Sequence, residues 1–233
     1  MSEADVIESS EMTVDEETSA EEASRFESIV MATAPESIEA EAIRGLRTRI
    51  MAQHVREGRR ALTLCSATAG TGCTFVAANL ATAMAQIGIK TVIVDADLRR
   101  PGIASMFNID SGRIGLGNYL SDMDVSVADV VQATSQPYLS VVTAGATQNN
   151  PQELLAGTRF KNLIDQLLRE FELTILDTTP TSGCTDAQRV ATVAGYSLVV
   201  ARKHKSHVKD VSTLVTLLRA DRSTVVGTVL NDF

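Results

Sequence analysis

Six short apolar runs, separated by stretches of helical pattern, constrain this chain more than any other feature. They are ALTLCS (61–66), TVIVD (91–95), LSVV (139–142), LTILD (173–177), SLVVA (197–201) and TVVGTVL (224–230). Their apolar residues run on rather than alternate, as strands covered on both faces require. Helical patterns fill the gaps at about 74–86, 159–170, 185–193 and 208–218. Such alternation predicts an α/β fold, with a mostly parallel central sheet and helices on both faces. The 233 residues suit one such domain with a short extension. At 44% hydrophobic and 21% charged, the chain can bury a real core, which excludes global disorder and disulfide-scaffold classes.

Charge is unevenly placed. The formal charge is −8, yet residues 1–30 hold ten acidic groups against Arg25 alone, leaving the rest of the chain at +1. Residues 1–34 read as a disordered acidic tail, with an electrostatic docking arm as the alternative. Net acidity argues against nucleic acid, whose binding rests on Lys and Arg neutralising phosphates. No run reaches the roughly 18 apolar residues a membrane helix needs, so no direct membrane insertion is expected. An acidic N-terminus is unlike a signal peptide, and Cys65, Cys73 and Cys184 form no CxxC pair; a cytoplasmic location follows as the expectation. His204 and His207 lie between lysines and read as a solvated segment rather than metal ligands. After the tail, Ile38, Ala42, Ile43, Leu46 and Ile50 recur at helical spacing within residues 35–57.

The stretch SATAGTGCT (66–74) joins the first strand to the first long helix, where this architecture holds phosphate on free helix N–H groups. The phosphate-loop pattern GxxxxGK[ST] finds only Gly72 and Thr74 in place; Ala67 stands at its first glycine and Cys73 at its lysine. Alone, a glycine turn of purely structural purpose explains the string equally well. Two further elements change that balance. Asp95 and Asp97 end the strand of TVIVDADLRRP (91–101), and Asp177 ends that of LTILD, where carboxylates reach the ligand crevice of open α/β sheets. Any one of them alone is also a strand-end cap. GLGNYL (115–120) follows no strand and reads as a turn.

This combination resembles the cytoplasmic domains of bacterial tyrosine kinases (BY-kinases), relatives of the MinD and ParA ATPases, over about residues 37–231. VIVDADLR supplies the family's DxDxR signature as Asp95, Asp97 and Arg99, and Asp177 with Pro180 supplies the next. RRPGIASMFNID, NNPQELLAG, TDAQRVA and GTVLN are further family-like stretches. MinD and ParA themselves fit less well, because their early loop lysine would fall at Thr68. The resemblance implies a P-loop-type domain that takes ATP or ADP with Mg²⁺. It assigns nucleotide contacts to Ala69, Gly70, Thr71, Gly72, Cys73, Thr74, Phe75 and Asn231, metal contacts to Thr74, Asp95 and Asp177, and catalytic work to Asp95 and Asp97. It also implies homo-oligomerisation through Glu41, Arg44 and Arg47 of the 35–57 helix. Pairing of those charges within the helix is the plainer account. The implied partner is a membrane polysaccharide co-polymerase, or chain-length regulator, that recruits the domain to the inner face of the cell membrane during exopolysaccharide or capsule synthesis.

Two departures bear on activity. Cys73 cannot provide the loop lysine's charge, so nucleotide binding is expected to be weakened or lost and catalysis impaired. Tyr119, Tyr138 and Tyr196 form no cluster of the kind these kinases autophosphorylate. The chain therefore reads as a pseudokinase with a regulatory role. An active kinase or slow ATPase using a substitute cation, from Arg99, Arg100, Arg202, Lys203 or a neighbouring subunit's Arg, and a nucleotide-free scaffold are the competing readings. For Cys73, drift competes with a redox-sensing thiol whose pKa a helix N-terminus would lower.

Overall fold

A computed structural model describes residues 29–146, 150–182 and 184–232. Of the acidic tail assigned to residues 1–34, residues 1–28 lie outside the described residues.

The six anticipated strands form within two residues of their expected bounds: β1 (Ala61–Cys65), β2 (Thr91–Asp95), β4 (Leu139–Val142), β5 (Leu173–Asp177), β6 (Tyr196–Arg202) and β7 (Thr224–Asn231). A two-residue β3 (Gln132–Ala133) adds an antiparallel edge beside β4. The sheet order is β3-β4-β2-β5-β1-β6-β7, and every pairing except the first is parallel. Because β5 lies between β1 and β2, the crevice at their C-terminal ends receives residues from three separate stretches of chain. Register pairs Asp95 with Asp177 and Leu64 with Asp177, so two carboxylates end adjacent strands side by side.

The helices are α1 (Val30–Thr33), α2 (Ile38–Gln53), α3 (Cys73–Gln86), α4 (Ile103–Met106), α5 (Leu116–Ser121), α6 (Val127–Val130), α7 (Pro151–Ala156), α8 (Thr158–Glu170), α9 (Asp186–Ala194) and α10 (Val208–Ala220). A 3₁₀ turn, Val55–Glu57, follows α2. Strand side chains alternate between two layers. Leu62, Leu64, Ile93, Ile175 and Val200 pack with α1 to α4, whereas Val92, Val94 and Leu176 pack with α5 to α8. Cys65 and Val199 meet α9 and α10 through Ala187, Ala191, Leu214 and Leu218. Burying each large apolar side chain favours the fold by roughly 1.5–3 kcal/mol. Ser37 caps α2, accepting the Ala40 N–H at 3.1 Å.

Two boundaries differ from the sequence expectation. Residues 30–33, placed in the tail, form α1, with Val30 and Met31 buried. Met31 is tied to α3, its N–H donating to Asn79 Oδ1 (3.2 Å) and its carbonyl accepting from Gln86 Nε2 (2.9 Å). The GLGNYL stretch, read as a turn, is the start of α5, whose Leu116 and Gly117 N–H groups bond the Thr143 and Ala144 carbonyls. Gly115 is required there, since a Cβ would strike the backbone of Thr143 and Gly145.

Candidate functional site

The loop after β1 leads into α3, and Gly70 (φ +70°) and Gly72 (φ +79°) take left-handed conformations that other residues adopt at a cost. The N–H groups of Gly70, Thr71, Gly72, Cys73 and Thr74 donate to nothing among the described residues. They border a cleft of about 460 Å³ lined by Ala69 to Phe75 together with Ser66, Asp97, Arg100, Thr178, Pro180 and Arg202. Free N–H groups opening a 14-residue helix make a favourable seat for phosphate. The Ser66 and Thr71 hydroxyls, both buried against this cleft, have no hydrogen-bond partner. Unpaired buried hydroxyls beside free N–H groups fit the phosphate oxygens of a bound nucleotide. Asn231, at the end of β7, donates from Nδ2 to the Thr71 carbonyl (2.9 Å), so it steadies the loop.

The three signature acids differ in placement. Thr74 donates to Asp177 Oδ2 at 2.6 Å, and both residues stand at the junction of loop and sheet. Burial raises the Asp177 carboxyl to about pKa 7 against the opposing effect of the Thr74 bond. Asp97 lines the cleft, its Oδ1 accepting from Thr179 Oγ1 (2.8 Å) and from the Arg99 and Arg100 N–H groups. Asp95, assigned to the metal and to catalysis, ends β2 beside Asp177 and is, like Asp177, buried. Its Oδ1 accepts from Asp97 N–H and its Oδ2 from Gly102 and Ile103 N–H, which clamps the following loop. Burial, and then the neighbouring Asp177, pushes its carboxyl well above the ordinary range. Three carboxylates this close, two of them with raised pKa, form a site whose charge a cation would relieve.

Cys73 opens α3 at the lysine position and is buried. Its thiol is not activated: burial and the Asp177 charge beside it push the pKa well above 9. Both effects run against the redox-thiol alternative for Cys73. Among the candidate substitute cations, Arg99 is committed to Asp186 (Nε to Oδ2, 2.6 Å) and Lys203 to Asp232 (2.9 Å). Arg100 and Arg202 border the cleft, with Arg202 Nη1 donating to the Gly70 carbonyl (3.4 Å). Sequence reasoning missed Lys205, whose ammonium group stands against Gly70; a Cβ there would strike Nζ and lie 3.2 Å from Cε. Its only sequence signal was the basic segment RKHK.

The α2 charges make contacts within the chain. Arg44 pairs with Glu41 (3.1 Å) and bonds the Pro35 carbonyl, and Arg47 donates to the Ala83 carbonyl near the end of α3 (3.3 Å). The Glu41–Arg44 pair is the within-helix pairing, and Arg47 adds a link between helices.

A family model described as ParA, the NUBPL iron-transfer P-loop NTPases, matches residues 58–232. The putative tyrosine-protein kinase CapB of Staphylococcus aureus is 32% identical over 197 residues, covering 84% of this chain and 86% of that protein. The chain belongs to the bacterial tyrosine kinase family. Tyrosine-protein kinase YwqD of Bacillus subtilis agrees, at 31% identity over 87% of this chain and 85% of its own length. Tyrosine-protein kinase ptk of Acinetobacter johnsonii is 33% identical over 84% of this chain, which spans only 27% of that longer protein. The kinase domain of the Escherichia coli tyrosine kinase ETK superposes with a TM-score of 0.82 at 31% identity, covering 88% of this chain and 79% of that one. The chimerical protein CapA2B2 gives 0.81 at 32%, covering 88% and 89%. Membership explains the shared sheet and loop, and Cys73 marks where this chain departs from the phosphate-loop pattern. Among the described residues, no helix is long and apolar enough to cross a membrane.

Proposed function

We propose that this chain is a nucleotide-binding, catalytically impaired member of the bacterial tyrosine kinases that regulates a membrane polysaccharide co-polymerase in capsule or exopolysaccharide synthesis. The observation that carries the loss of catalysis is Cys73. A neutral thiol with a raised pKa occupies the lysine position and faces Asp177, so the loop itself adds no positive charge for phosphoryl transfer. Retained binding is supported by the free loop N–H groups and the unpaired Ser66 and Thr71 hydroxyls. The loop from Ala69 to Phe75 would hold the phosphates and Asn231 would fix the loop, while Thr74 and Asp177 would hold Mg²⁺. Asp95, three of whose lone pairs accept backbone N–H groups, would shape the loop carrying Asp97 and keep a lone pair on Oδ1 for a metal beside Asp177. Bound ATP would supply a transferable phosphoryl group. The partner, the polysaccharide system and recruitment to the membrane rest on the family resemblance, and oligomer formation on the same ground.

Calorimetric titration with Mg-ADP and a non-hydrolysable ATP analogue, beside a phosphate-release assay, tests the reading. The native protein should bind both yet turn over little, and Cys73→Lys should raise turnover by about 10²- to 10³-fold, the usual worth of one preorganised donor. Native turnover equal to that of Cys73→Lys overturns the impairment and makes the chain a working enzyme.

A further inference from the structure

We propose that Lys205 supplies, from the loop after β6, the phosphate-binding cation that the glycine loop lacks at Cys73. This rests on the reading of the cleft as a nucleotide site and names the residue that sustains it. Lys205 is 132 positions from Cys73 in sequence, on the loop between β6 and α10, and its ammonium group lies over Gly70 at the edge of the cleft.

The loop is built to hold it there. Lys205 and Ser206 N–H groups both return to the Arg202 carbonyl (3.2 and 2.9 Å), and Arg202 N–H donates to Ser206 Oγ (2.9 Å), closing a tight turn with His204 at φ +59°. Arg202, at the base of the turn, donates to the Gly70 carbonyl, which ties this loop to the glycine loop. No carboxylate among the described residues pairs with Lys205, whereas its neighbour Lys203 turns the other way to Asp232. Gly70 has no side chain to obstruct the ammonium group. Gly70 begins the run of free N–H groups that extends to Thr74, beside the unpaired Ser66 and Thr71 hydroxyls. A nucleoside di- or triphosphate entering there would meet the N–H donors and, beside Gly70, the Lys205 cation. Such a cation binds phosphate as a point charge.

The test is calorimetric titration of the full chain with Mg-ADP, using the native protein, Lys205→Ala, Lys205→Arg and Lys203→Ala, with thermal melting as the check that each is folded. Lys205 is exposed, so its replacement should leave the melting temperature in place. Loss of a charged phosphate contact should weaken Mg-ADP by about ten- to hundredfold in Lys205→Ala. Lys205→Arg should recover most of it and Lys203→Ala should change little. In a Cys73→Lys background the penalty of Lys205→Ala should shrink, because the loop then carries its own cation. If the native protein binds and Lys205→Ala binds equally well, or if Lys203→Ala loses as much, the Lys205 assignment is overturned while the nucleotide reading stands. If the folded native protein binds no nucleotide at millimolar concentration, both are overturned.

Discussion

Arg99→Met decides whether the arginine of the DxDxR signature is a structural strut or a reserve cation for phosphate. Arg99 Nε donates to Asp186 Oδ2 at 2.6 Å and Nη2 to Oδ1 at 3.5 Å, joining the loop after β2 to the start of α9. Asp186 is 1% exposed, and removing one partner of a buried pair costs about 3–5 kcal/mol because the other charge is left buried alone. An exposed pair is worth only about 0–1 kcal/mol. Arg99 retains 40% side-chain exposure, and the N-terminus of α9 itself favours a carboxylate, so the cost belongs between these limits, at about 2 kcal/mol. Methionine keeps much of the aliphatic stem, so the loss reports the charge rather than packing. The chain has no Trp, so urea unfolding is best followed by far-UV circular dichroism. The midpoint should fall with the slope unchanged. In a double-mutant cycle with Asp186→Asn, the two changes should couple by well over the roughly 0.3–0.5 kcal/mol seen for independent sites. Additive effects within that margin would refute the strut and return Arg99 to the list of cations available to the cleft.

Three further outcomes are expected. Alkylation at pH 8 should label Cys184, the partly exposed cysteine, well before Cys73 or Cys65, whose thiols burial holds neutral; faster labelling of Cys73 would restore the redox reading. Gly115→Ala should lower stability by roughly 3 kcal/mol in urea unfolding, since its Cβ meets backbone that cannot step aside. His54, fully buried with Nε2 2.8 Å from the Ala61 carbonyl, has its pKa lowered mainly by burial. The unfolded chain therefore takes up this proton first, so stability from His54 is full above about pH 6.5 and declines as pH falls below it. Unfolding midpoints at pH 7.5 and 5.5 should show a steeper acid loss for the native protein than for His54→Leu.

What could be read from the sequence, and what could not, follows from the range of each signal. Five of the six strands were legible because a strand covered on both faces is apolar over most of its length, and that pattern shows within a few residues; β7 gave the same apolar run although it is an edge strand with exposed or half-buried residues up to Leu230. Helices α4, α5, α6 and α7 span four to six residues, less than two turns, too short for a helical period to emerge. Helix α1 was hidden for another reason: the acidic composition ahead of it outweighed Val30 and Met31, whose burial depends on Asn79 and Gln86 far along the chain.

The site divides along the same line. Gly70, Gly72, Thr74, Asp97 and Asp177 could be placed because each occupies the end of a strand or the start of a helix, and parallel topology gathers such ends at one edge of the sheet. That argument also put Asp95 at the end of β2, where it stands beside Asp177. Topology fixes where a strand ends, but the N–H groups of Gly102 and Ile103 fix which way its last carboxylate turns. Lys205 is the converse case. It sits in the polar stretch RKHKSH with no motif around it, and only the parallel pairing of β6 beside β1 brings its loop over Gly70. The missing lysine at position 73 was visible in one line of sequence, whereas a cation able to replace it becomes visible only after the sheet has been assembled. A lost motif residue is therefore weak evidence for a lost site until the neighbouring strand's loop has been searched for its charge.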